Sequence, residues 1–66
     1  MKIFINDVPV SCPEDITLQE VLQNQSIHLV NIAVAIDNAV IPKTQWEKTI
    51  VQEGNNILII KAVQGG

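Results

Sequence analysis

The chain has 66 residues, 47% of them hydrophobic, and a formal net charge of −3, which points to one small folded domain and away from a disordered segment. Four Lys and no Arg stand against seven acids, so the clustered cations that grip nucleic-acid phosphates are missing, and Phe4 and Trp46 alone make no stacking platform for single strands. No apolar stretch suits a spanning helix and no charged-then-apolar signal opens the chain, so a cytoplasmic protein without membrane contact, monomeric on its own, is the expectation. The single Cys12 leaves no internal disulfide.

Ile3 and Ile5 alternate with Lys2 and Phe4, and Val8, Val10 and Cys12 alternate with Pro9 and Ser11. Two period-2 runs around Asn6-Asp7 predict an N-terminal β-hairpin. Pro9 has no N–H to give a ladder, so its strand should have a free edge. Phe4 falls on the face opposite Ile3 and Ile5 and is either covered by a second layer or an exposed contact residue.

After the loop Pro13-Glu14-Asp15, Thr17 and Glu20 stand at capping-box spacing, with Ile16 and Val21 placed as a hydrophobic staple. Leu18, Val21 and Leu22 form one apolar stripe. The helix should run from Leu18 to Gln23 or Gln25. It is too short to stand alone and needs a sheet beneath it.

Ile32 to Ile36 reads as a strand, Asp37-Asn38 as a tight turn and Val40-Ile41 as a short strand stopped by Pro42. Thr44 and Glu47 repeat the capping-box spacing, predicting a helical turn that carries Trp46. Thr49 to Val51 is a candidate brief strand. Glu53 to Asn56 turns the chain into the apolar run Ile57 to Val63, a buried strand. One helix across one face of a mixed sheet, with the first and last strands side by side at its centre, is the economical two-layer solution. The predicted class is α+β, a β-grasp fold in one domain over 1–66, with a flexible tail at 64–66.

Chemistry of its own is sparse in this chain. Cys12 and His28 lack a third ligand for a metal, and Cys12 reads as a small hydrophobe on the inward register of the hairpin. None of Gly54, Gly65 and Gly66 opens a helix after a strand, so there is no phosphate loop. A complete enzyme is not the expectation, nor is a cofactor bound by this chain. What remains is the ending Gln64-Gly65-Gly66. By itself a Gly-Gly end reads equally as a frayed terminus or as a slim arm that enters where a Cβ would not fit.

The chain resembles the sulfur-carrier branch of the ubiquitin-like superfamily, specifically the thiamine-biosynthesis (ThiS) family. The likeness rests on Ile3-Phe4-Ile5-Asn6-Asp7, Thr17 to Leu22, Ala33 to Asn38, Val40-Ile41-Pro42-Lys43 followed by Trp46, Glu53 to Asn56, and Ala62-Val63-Gln64-Gly65-Gly66. Asn55 stands where the family usually has Asp, and an Arg is common near Lys43. The resemblance implies that a ubiquitin-activating-type adenylyltransferase, using ATP and magnesium, adenylates Gly66. Sulfur from a cysteine desulfurase or related donor then gives a thiocarboxylate, which thiazole synthase consumes. It implies access through Gly65 and Gln64, and docking through Phe4, Lys43, Trp46, Ile60 and Ala62. A carrier of the molybdopterin-synthase small-subunit type, and a ubiquitin-like modifier or binding module, remain as alternatives.

Overall fold

The structure is a computed structural model that describes residues 1–61. It contains β1 (Lys2–Ile5), β2 (Val8–Ser11), α1 (Leu18–Asn24), β3 (Ile32–Ile36), β4 (Ala39–Val40), a 3-10 turn (Lys43–Gln45) and β5 (Asn56–Lys61). The strands form one five-stranded sheet in the order β2-β1-β5-β3-β4. β5 is central, parallel to β1 and antiparallel to β3. Helix α1 supplies the second layer, and the sheet is the mixed β-grasp arrangement that the alternation patterns imply.

Both hairpins close through two residues at positive φ, Asn6 (49°) and Asp7 (69°) in one, Asp37 (48°) and Asn38 (72°) in the other. That is the backbone signature of a type I′ turn, and Asn and Asp tolerate it better than other side chains except Gly. Pro9 lies opposite Phe4 on the outer strand β2. The Phe4 N–H is turned the other way, donating to the Asn55 carbonyl at 2.9 Å. Pro9 therefore presents its missing donor to the free edge and removes no ladder bond.

Helix α1 begins as its sequence predicts. The Glu20 N–H donates to Thr17 Oγ1 at 3.1 Å, and the Thr17 N–H donates to Glu20 Oε1 at 3.0 Å. The backbone bond first, then the hydroxyl bond, from Thr17 holds the exposed Glu20 carboxyl below the ordinary carboxylate pKa. Two further helix-start donors reach the segment before β5: Leu18 N–H to the Thr49 carbonyl at 2.8 Å and Gln19 N–H to the Trp46 carbonyl at 3.1 Å. At the other end Ser26 sits at φ 57°. Its N–H donates to the Gln23 carbonyl (3.0 Å), while the Ile27 N–H donates to the Leu22 carbonyl (3.3 Å). This is a Schellman closure with Ser where Gly is usual.

The core lies between α1 and the sheet. It joins Ile3, Ile5, Val34 and Ile57 from the strands to Leu18, Val21 and Leu22 from the helix, closed by Ile16, Trp46 and Val51. Full burial of each such aliphatic side chain contributes roughly 1.5–3 kcal/mol. That packing, and not propensity, keeps a seven-residue helix folded. Two expectations change. Thr44 and Glu47 form no capping box, because Pro42, already at helix-compatible φ −60°, takes the cap position and Trp46 ends the turn. The Thr49 to Val51 strand reduces to an isolated bridge between Ile50 and Thr17.

Candidate functional site

Alternation along β5 divides its side chains between two faces. Ile57 faces α1 and is fully buried, and Ile59 is half-buried on the same side. Leu58 and Ile60 point the other way and are 44% and 53% exposed. Opposed residues of neighbouring strands share a face, so the ladder register gives the composition of this open face directly. Phe4 lies beside Asn56, Leu58 beside Ala35, and Ile60 beside Ala33. Val40, opposite Ala35 on β4, extends the face to the far edge. The two alanines leave a shallow floor between Val40 on one side and Leu58 and Ile60 on the other. Lys2 contributes a cation at the margin, its Nζ 5.6 Å from the Phe4 ring centroid, a spacing at which the charge is drawn to the ring.

Phe4 and Ile60, two of the expected docking residues, thus belong to one surface. Leu58 and Val40 join them. The apolar run Ile57 to Ile60 hides this division, because both of its faces are apolar and no polar residue marks the exposed one. Lys43 is exposed at the start of the 3-10 turn, outside the sheet. Trp46 sits in the core and not on this surface. Its side chain is 2% exposed and its Nε1 donates to the Ile41 carbonyl at 2.8 Å, so it pins the β4-to-turn connection to the core. Ala62, Gln64, Gly65 and Gly66 lie outside the described residues.

The start of β5 is held by side chains from both hairpin turns. The Asn56 N–H donates to Asp37 Oδ1 (2.9 Å), Asn55 Nδ2 to Asp37 Oδ2 (2.8 Å), and Asn56 Nδ2 to Asp7 Oδ1 (3.1 Å). Asn55 also closes the preceding turn. Its N–H donates to the Gln52 carbonyl and its Oδ1 accepts from the Gln52 N–H, around Gly54 at φ 80°. An Asp at position 55 could accept as Asn55 does but could not donate to Asp37 at neutral pH, so the amide links two turns where a carboxylate would face another carboxylate. Cys12 is half-buried against the core and His28 is exposed. Among the described residues, no three His, Cys, Asp or Glu side chains gather as a ligand set, and no helix is long and apolar enough to cross a membrane.

The same organisation is found in known proteins. A solved ThiS thiamine biosynthesis protein from Geobacter metallireducens superposes with a TM-score of 0.87 over the whole of both chains at 19% identity. A solution structure from the same organism gives a TM-score of 0.77 at 20% identity, covering all of this chain and 88% of that one. These likenesses establish the fold. In sequence, the sulfur carrier protein ThiS of Escherichia coli K12 is 33% identical over 66 residues, the full length of both chains. The sequence profile of the ThiS family matches residues 3–66, which takes in all of the sheet but Lys2, the helix and the Gly-Gly ending. The chain belongs to the ThiS family.

Proposed function

We propose that this protein is the sulfur carrier of thiamine biosynthesis, with Gly66 as the atom-carrying terminus. The observation that carries the reading is the family match running unbroken through Gly65-Gly66. The physical case agrees with it. A carboxylate is a poor acyl donor because it is anionic and resonance-stabilised. An adenylating partner with bound ATP and magnesium joins the Gly66 carboxylate to the α-phosphorus and releases pyrophosphate. A persulfide sulfur supplied through cysteine desulfurase or a related donor then adds at the carbonyl carbon and AMP leaves, and a second thiol cleaves the S–S bond of the acyl disulfide by exchange, forming a disulfide with the donor sulfur and leaving the new sulfur on Gly66. The resulting thiocarboxylate passes its sulfur to thiazole synthase.

In this reading the domain is a handle. Phe4, Val40, Leu58 and Ile60 give the adenylating partner an apolar face to dock on. An apolar centre with a charged margin is the usual anatomy of a specific contact. Lys43 lies apart and offers a separate polar contact. From Lys61 to Gly66 the chain spans at most about 17 Å when fully extended, so the partner's nucleotide site must open within that distance of the docked strand end.

Incubation with the adenylating partner, ATP, magnesium and a sulfur source tests the reading. The intact mass should rise by the exchange of one oxygen for one sulfur at Gly66. A chain extended past Gly66 should stay unmodified. An unchanged mass for the native chain under conditions where the partner consumes ATP refutes the proposal.

A further inference from the structure

We infer that Asn6 is a positioning residue for the chemistry at Gly66, holding the root of the tail through the backbone of Ile59; this rests on the carrier reading above. The pairing of β1 with β5 covers only Phe4 with Asn56 and Ile5 with Ile57. Its bonds include Phe4 N–H to the Asn55 carbonyl and Asn6 N–H to the Ile57 carbonyl, both 2.9 Å. A parallel ladder would next send the Ile59 N–H to the backbone carbonyl of Asn6. Asn6 is already in the turn at φ 49°. Its side chain takes over, and the Ile59 N–H donates to Asn6 Oδ1 at 2.9 Å. One carboxamide thus extends the ladder by a step past the point where β1 departs.

That step falls at a sensitive place. Up to Ile59 the last strand is held on both sides. Beyond it, among the described residues, Ile60 and Lys61 are paired only with Ala33 and Ile32 of β3. Asn6 therefore sets where the chain is released on one side, seven positions before Gly66 in the sequence. An arm that must place one carboxylate against a nucleotide gains from a fixed root, because small misplacements of a reacting group slow chemistry more than they weaken binding. Asn6 contacts none of Phe4, Leu58 and Ile60 through this bond, so its effect belongs to turnover and not to docking.

Two variants separate this from a plain stabilising role. Asn6→Gly keeps the positive φ but removes the acceptor, and Asn6→Asp keeps both. With the full-length chain and its adenylating partner, turnover at saturating carrier should fall about two- to tenfold for Asn6→Gly, the range set by one lost hydrogen bond. KM should stay within twofold of the native value, on the order of the uncertainty in such contributions. Asn6→Asp should restore turnover. Amide exchange at Ile59 should accelerate in Asn6→Gly alone. Native turnover in Asn6→Gly, or a change confined to KM, overturns the positioning role while the carrier reading stands. A native chain that is never adenylated overturns both.

Discussion

Replacing Ile60 by Ala tests whether the open face is a docking surface. The side chain is 53% exposed, so about half of its apolar area is available to a partner and about half already supports the fold. Ile→Ala removes three carbons, each worth about 0.8 kcal/mol when buried. Roughly 1 kcal/mol should therefore be lost from folding and a similar amount from association. The first lowers the melting temperature by about 4–8 °C. The second raises the Kd for the adenylating partner by about five- to tenfold. Two controls bracket the result. Val8→Ala removes a side chain of similar exposure (59%) whose register with Ile5 places it on the other side of the sheet, and it should leave Kd unchanged. Ile57→Ala, fully buried three positions earlier on the opposite face of β5, should cost about 2–5 kcal/mol of stability. Titration calorimetry with the partner reads association, and the single buried Trp46 reports unfolding by fluorescence. If Ile60→Ala binds as well as the native chain, or Val8→Ala binds as poorly as Ile60→Ala, the face is not the contact surface.

Three further outcomes follow from local geometry. Ser26→Gly relieves a non-glycine residue at φ 57° in the helix closure, and should stabilise by about 0.5–1 kcal/mol after the greater entropy of the unfolded Gly is subtracted; a melting temperature at or below native contradicts the Schellman assignment. Trp46→Phe removes the bond to the Ile41 carbonyl and some buried volume, and should cost about 1–3 kcal/mol by denaturant titration, tracked by circular dichroism since the fluorophore is gone. Glu20 has its pKa held down in the folded state, so the unfolded state binds the proton first, and the capping contribution is complete above the ordinary carboxylate range and fades as pH falls through the folded value. Glu20→Gln should flatten that part of the acid stability curve, and an unchanged acid slope counts against the capping box.

Much of this fold is legible because its signals are local. Thr17 and Glu20 are three residues apart and make their box without help from the rest of the chain. Asn6-Asp7 and Asp37-Asn38 adopt positive φ because their own side chains tolerate it. Alternation in Ile3, Phe4 and Ile5 sorts faces correctly because the sheet period is two. The misreadings come from competing neighbours and from contacts that residue spacing does not encode. Thr44-x-x-Glu47 has the right spacing for a cap, but Pro42 already enters the turn with a preset φ, and the spacing goes unused. Trp46 looks like a contact residue in an otherwise polar stretch. Its burial follows from Ile41 offering a carbonyl and α1 offering an apolar wall, neither of which is visible around position 46. The Asn6–Ile59 bond spans 53 positions and has no local signature at all.

The division of β5 has a consequence for how this domain changes in sequence. Ile57 and Ile59 hold the sheet to α1, so their replacement is limited by stability. Leu58 and Ile60 alternate with them but face outward, so under the docking proposal their replacement is limited by recognition. On that proposal the strand carries two independent constraints on one four-residue run, and both favour apolar residues. The docking proposal would thereby account for a run that is uniformly apolar although only half of it is core. A Leu58→Gln variant separates the two. It removes apolar contact at a residue 44% exposed while keeping side-chain length, so its cost should be shared between partner affinity and thermal stability, with the stability part well below that of Ile57→Ala. If the melting temperature falls as far as it does for Ile57→Ala, the outer face is structural and the apolar run needs no partner to account for it.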